Sequence, residues 1–103
     1  MSEELDKRKS KRIAYPCEVE FYGSKGGRID GKITVLSLRG AFVETAQTQP
    51  VGMRLTLRFS LPTVVMTLTG EVAHSEEKGM GVHFLAMTRA QHAALERLLN
   101  NTE

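Results

Sequence analysis

Apolar and polar residues alternate with a period of two along most of the chain, from Pro16 to Leu85. Because neighbouring side chains of an extended strand point to opposite faces, each alternating run predicts a strand with one buried face. The clearest run is 53–60, in which Met, Leu, Leu and Phe alternate with Arg, Thr, Arg and Ser. Six runs are predicted to be strands: 16–22, 28–36, 41–45, 53–60, 64–73 and 80–85.

The pattern changes near the end of the chain. Thr88 followed three positions later by Gln91 is a capping-box sequence, which is typical of the start of a helix. Four apolar residues then recur at helical spacing: Ala94, Leu95, Leu98 and Leu99. Six short strands and one terminal amphipathic helix indicate an all-β domain, either a Greek-key barrel or a curled sheet, with the helix over an opening or an edge. The chain lacks the βαβ alternation of Rossmann and P-loop nucleotide sites.

The charge is unevenly distributed. The chain has 103 residues and a formal net charge of +2, yet five of its 14 Lys and Arg residues fall within 7–12. Apart from the initiator Met, residues 1–12 contain one hydrophobe, too little to offset the entropy of ordering. We therefore expect a flexible basic N-terminal arm at 1–12 and a single domain at 13–103.

Several classes of function are disfavoured. The single Cys17 excludes an internal disulfide, and the three histidines have no metal-ligand spacing, so we expect no metal site and no cofactor. The acidic residues fall mostly at outward strand positions, and we expect no catalytic residues and no enzyme. Without a membrane-length apolar run or the residue order of a secretion signal, the chain is expected to be cytoplasmic and not membrane-inserted.

Two stretches carry candidate chemistry. Arg8 and Arg12, four positions apart, can present two guanidinium forks to phosphate oxygens and can stack on purine rings. The segment Ser37-Leu38-Arg39-Gly40 offers a hydroxyl, backbone N–H groups and a glycine that permits positive φ and close approach of a ligand. Each signal is weak by itself, because basic tails and structural turns of this kind are common in β proteins.

The order of these features resembles a known family. Arg8-x-x-x-Arg12 precedes a first strand containing a proline, Leu36-Ser37-x-x-Gly40-Ala41 follows the second strand, and Gly79-Met80-Gly81-Val82-His83-Phe84 comes before the helix. From about Arg8 to Leu99, this arrangement looks like a PilZ domain. The resemblance implies a six-stranded antiparallel β-barrel with a C-terminal helix. It also implies a bacterial receptor for cyclic di-GMP in second-messenger signalling, motility and biofilm formation, which acts by conformational change rather than catalysis.

Transferred residue by residue, the resemblance implies that Arg8 and Arg12 bind the phosphates and guanine faces of cyclic di-GMP. Ser37 would hydrogen-bond to the ligand or to the arm, and Gly40 would allow close approach. Val35 departs from the family pattern, which has Asp or Asn at this position as an acceptor for a guanine edge.

The leading hypothesis is a cyclic di-GMP receptor and effector whose arm becomes ordered on binding and which then signals to a protein partner in motility or signalling. The alternative is a PilZ-like protein-interaction module that binds cyclic di-GMP weakly or not at all, because Val35 replaces the acceptor. Nonspecific nucleic-acid binding is disfavoured, since the strands offer few exposed aromatic residues for base stacking.

Overall fold

Six strands and one helix make up the described part of the chain. A computed structural model describes residues 12–23 and 26–100. The elements are β1 Arg12–Tyr22, β2 Arg28–Ser37, β3 Gly40–Glu44, β4 Arg54–Ser60, β5 Val65–Ser75, β6 Gly79–Ala86 and α1 Arg89–Asn100. The all-β class and the single C-terminal helix are confirmed.

The strands form one closed antiparallel barrel in the order β1-β2-β3-β6-β5-β4. β4 returns beside β1 after the β1-β2-β3 meander, which gives the neighbour order β4-β1-β2-β3 of a Greek key. Closure gives each described strand a neighbour on both sides over at least part of its length. Of the two arrangements left open by the hydrophobic pattern, the structure is the barrel.

The predicted alternation fills the barrel interior. In β4, Leu55, Leu57 and Phe59 are buried, while the Arg, Thr and Ser residues between them are exposed. The helix adds Leu95 and Leu99 to the same core.

The predicted capping box is present at the start of α1. The Gln91 amide donates to Thr88 Oγ1 at 3.1 Å, and the Thr88 amide donates to Gln91 Oε1 at 3.0 Å. Gln91 Nε2 also donates to the Thr67 carbonyl of β5 at 2.9 Å, which joins the first turn of the helix to the barrel.

The structure departs from the hydrophobic pattern at three places. The alternation within 28–36 predicts Ile29, Ile33 and Val35 on one face of the strand. A bulge in β2 between Ile33 and Val35 turns Val35 outward and Leu36 inward, so this prediction is wrong at Val35. β1 begins at Arg12, four residues earlier than predicted. The polar run 74–79 predicts a turn that begins at His74, but β5 continues to Ser75, so His74 lies in a strand. Residues 1–11, including Arg8, lie outside the described residues, and the flexible arm stays a prediction.

Candidate ligand-binding site

The β2–β3 turn is held by one buried hydroxyl. Ser37 Oγ accepts hydrogen bonds from the amides of Arg39 and Gly40, both at 3.2 Å, and donates to the Gly40 carbonyl at 3.2 Å. A hydroxyl has one donor and two acceptor positions, so these three bonds use all of them. The Arg39 carbonyl also accepts a hydrogen bond from the Phe84 amide of β6 at 2.7 Å. The turn is therefore fixed both internally and against the neighbouring strand.

Gly40 allows β3 to approach β6 closely. A Cβ atom at this position would collide with the Val82 carbonyl oxygen across the strand pair. Positive φ is found at Gly26 and Gly52 and at no other described residue, so Gly40 does not use the positive φ that a glycine permits. The glycine is required here because the backbones of β3 and β6 pass close together and leave no space for a Cβ atom.

A cleft of about 460 Å³ lies beside this turn, on the outer surface of the barrel. Arg12 lines it together with Ser37 and Gly40, and the strand register places Arg12 directly opposite Ser37. The remaining lining residues come from four strands and the turn: Val35, Arg39, Ala41, Phe42, Ala73, His74, Gly81, Val82 and His83. Three of the four predicted site residues therefore meet at one cleft, and the fourth, Arg8, lies outside the described residues.

Two rings lie together across this cleft. The register aligns Val35 with Phe42, Phe42 with Gly81, and Gly81 with His74, which makes one row across four strands. The ring centroids of Phe42 and His74 are 6.0 Å apart with an interplanar angle of 31°. A Cβ at Gly81 would lie 2.5 Å from the His74 ring. Because Gly81 has no side chain, the His74 ring lies against the strand backbone, and the two rings offer a flat surface for stacking.

The charges at the cleft favour an anion. Arg12 and Arg39 are exposed on its lining. None of the described lining residues carries a carboxylate or a carboxamide side chain. Among the described lining residues, His74 has a carboxylate nearby, with Nε2 at 3.5 Å from Glu76 Oε2. Two guanidinium groups beside an aromatic surface are suited to a ligand that combines phosphate with a planar base.

The family of this chain follows from its sequence. A sequence model of the PilZ domain matches residues 6–101. The chain belongs to the PilZ domain family. A comparison with curated protein sequences gives no match.

Solved PilZ domains have the same fold. The PilZ domain of CeSA from a cellulose-synthesizing bacterium superposes with a TM-score of 0.72 at 19% identity, covering 88% of this chain and 96% of that one. The PilZ domain of YcgR from Escherichia coli, solved with cyclic di-GMP, gives 0.73 at 15% identity, with coverages of 90% and 88%. The Bacillus subtilis inhibitor of motility MotI/DgrA gives 0.72 at 19% identity, with coverages of 89% and 51%.

The sequence analysis did not select the four other lining residues of this PilZ domain that carry a charged or ring side chain: Arg39, Phe42, His74 and His83. Arg39 could have been predicted from the sequence, because it lies inside the Ser37–Gly40 turn that was selected as a candidate site. The two histidines were considered only as metal ligands, for which spacing along the chain is decisive. Their place at the cleft depends on which strands pair and in which register, and the alternating pattern does not specify this.

A larger cleft of about 980 Å³ lies over β1, β2 and β4 of the PilZ barrel. Its charged residues have both signs, and Arg28 lies 3.6 Å from Glu20 and 3.5 Å from Asp30. Because acids and bases face each other there, this cleft has no net preference for an anion. Among the described residues, no group of three or more His, Cys, Asp or Glu side chains is placed to hold a metal ion. No helix in the described ranges is long and apolar enough to cross a membrane.

Proposed function

We propose that this PilZ domain is a cytoplasmic receptor for cyclic di-GMP, which it binds in the cleft beside the β2–β3 turn. The observation that carries the proposal is the meeting of Arg12 with the Ser37–Gly40 turn. These residues are 25 or more positions apart in sequence, yet the register places Arg12 opposite Ser37 at one cleft. PilZ domains of known structure, including that of YcgR from Escherichia coli, have been solved with cyclic di-GMP.

Each part of the cleft has a chemical role in this proposal. The Arg12 and Arg39 guanidinium groups bind phosphate oxygens through charge-assisted hydrogen bonds. The Phe42 and His74 rings provide a stacking surface for a purine. Ser37 and Gly40 set the shape of the turn that carries Arg39.

The arm supplies the second half of the phosphate contact. Arg8 precedes Arg12 by four positions and offers another guanidinium fork to the ligand. Binding orders the arm across the cleft and so creates a new surface, which a protein partner in motility or signalling recognises. The domain therefore acts as a receptor and effector, without catalysis.

Calorimetric titration with cyclic di-GMP tests the proposal. We expect saturable heat for the wild-type chain, and an Arg12→Ala variant weakened by roughly 10- to 150-fold, the range for losing a charge-assisted hydrogen bond. Arg58→Ala is the matched control, since Arg58 is an exposed strand arginine that lines the other cleft. An absence of heat at protein concentrations of about 100 μM would reject a receptor function.

One observation favours a second function. The Val35 side chain is 37% exposed at the cleft, where it offers no hydrogen bond to a base. A PilZ-like interaction module that binds cyclic di-GMP weakly or not at all is the alternative. It is supported if the wild-type amide spectrum does not change on addition of cyclic di-GMP while a Val35→Asp variant binds.

A further inference from the structure

The cleft has a shortage of hydrogen-bond acceptors near its aromatic surface. Guanine carries donors at N1 and at its 2-amino group, and a site that reads this edge needs acceptors for them. Neither Asp, Glu, Asn nor Gln is among the described residues that line the cleft. The Ser37 hydroxyl already uses its full hydrogen-bonding capacity within the turn. Nε2 of His74 lies 3.5 Å from Oε2 of Glu76, so this nitrogen already has a partner outside the aromatic surface.

Val35 makes this part of the cleft apolar. The β2 bulge turns its side chain outward, and its partners across the two strand pairs are Ala14 and Phe42. Val35 therefore adds an isopropyl group beside the Phe42 ring, where a carboxylate or amide would accept hydrogen bonds.

We infer that the cleft selects cyclic purine dinucleotides by their phosphates and ring faces and does not read the 2-amino group of guanine. The inference rests on the proposed function, because it concerns the same cleft. It widens the ligand class from guanine to 6-oxopurines in general, including hypoxanthine. An arginine that reached a base edge instead of a phosphate would not restore the distinction, because the acceptors it recognises, O6 and N7, are shared by the two bases. Sites built around hydrogen bonds to a ligand group reject analogues without it by about 10⁴–10⁵-fold, whereas apolar pockets discriminate far less.

Cyclic di-IMP isolates the group in question, since it differs from cyclic di-GMP only by the two missing 2-amino groups. Both dinucleotides are titrated calorimetrically into the full chain. We expect dissociation constants within about tenfold of each other, because no carboxylate or carboxamide among the described lining side chains is placed to accept a hydrogen bond from the 2-amino group. A loss of more than tenfold for cyclic di-IMP would overturn the inference and would leave the receptor function standing.

Val35 variants test whether this residue decides the selectivity. Val35→Asp and Val35→Asn add an acceptor, with and without a charge, and should move the affinity ratio toward cyclic di-GMP by at least tenfold. Val65→Asp is the control, because Val65 is 49% exposed on β5 and lines the other cleft. Circular dichroism checks that each variant is folded. If the Val35→Asp variant does not fold, the uncharged Val35→Asn variant provides the test.

The possible results separate the two proposals. If neither dinucleotide gives heat, the receptor function fails and the inference fails with it. If cyclic di-GMP binds and the Asp and Asn variants leave the ratio unchanged, Val35 does not face the base edge and the inference alone is overturned. Similar wild-type affinities together with a shifted ratio in the variants support it.

Discussion

The hydroxyl of Ser37 makes three hydrogen bonds within the β2–β3 turn and so contributes to the cleft through the shape of the backbone. Ser37 is 8% exposed, and the turn places the exposed Arg39 at the cleft. A buried polar group without partners would be costly, and no buried side-chain nitrogen or oxygen among the described residues lacks one. Ser37 is therefore a structural residue of the turn, and its contact with a ligand stays a prediction.

Because of Cys17, the free energy of unfolding is expected to change with pH in the alkaline range. Burial raises the pKa of its thiol above the ordinary value of 9.0, and burial followed by the nearby Cys17 charge raises the pKa of the Tyr15 phenol. A raised pKa in the folded state means that the fold favours the neutral group. Its contribution is therefore complete below about pH 9 and is lost as the pH rises through the folded value. We predict a free energy of unfolding that falls as the pH rises above about 9, measured by urea denaturation.

A Cys17→Ala variant is the control for this pH dependence. It removes the thiol and also one cause of the Tyr15 shift, so its stability should fall less steeply over the same pH range. Equal slopes for the two proteins would show that the thiol is not responsible.

The approach of β3 to β6 determines where the cleft can form. Gly40 pairs with His83, and Ala41 pairs with Val82, so the turn lies against the middle of β6. A side chain at Gly40 would meet the backbone of Val82 rather than a movable side-chain end. The strand pair would have to separate to admit it, and the cleft lies on this pair.

We predict that Gly40→Ala destabilises the domain by about 1–3 kcal/mol, the usual cost of overpacking, and also weakens ligand binding. Urea denaturation measures the first effect and calorimetric titration the second. Gly27→Ala is the control, because a Cβ there meets nothing within 4 Å and Gly27 does not have positive φ. Equal stability of the two variants would contradict the close approach of the strands.

The strands themselves could be predicted from the sequence, because burial of one face imposes a period of two. In β4 the pattern and the structure agree at every residue from Arg54 to Ser60. In β2 the same reasoning fails at Val35, since a bulge adds one residue and reverses the side chains that follow. Nothing in the local pattern distinguishes an alternating strand from a bulged one.

From the residue pattern alone, the candidate site was predictable only where it is local in sequence, and Arg12 was joined to the Ser37–Gly40 turn only through the family resemblance. Ser37 and Gly40 lie in one turn, and a motif three residues apart can be found by inspection. Phe42 and His74 are 32 positions apart and meet only because β3 and β5 both pair with β6. Such a contact depends on the strand order of the closed barrel, for which the hydrophobic pattern carries no information.

The cleft is formed by strands that are distant in sequence, whereas the helix stabilises the barrel through the core. The cleft is lined from Arg12 to His83 and includes no residue of α1. Leu95 of α1 is fully buried and belongs to the barrel core. A ligand that binds only the folded cleft should therefore stabilise the whole domain, in an amount that does not depend on the packing of the helix.

We predict that cyclic di-GMP at 100 times its dissociation constant raises the free energy of unfolding by about 2.7 kcal/mol. Leu95→Ala should lower stability by about 2–5 kcal/mol through the cavity it leaves, while the increment from the ligand stays the same, since distant sites contribute additively. Urea denaturation of both proteins, with and without the dinucleotide, measures the four values. A smaller increment in Leu95→Ala would mean that the helix and the cleft are coupled through the core. Ligand binding at the cleft would then change the stability of the helix packing at the C-terminal end of the domain.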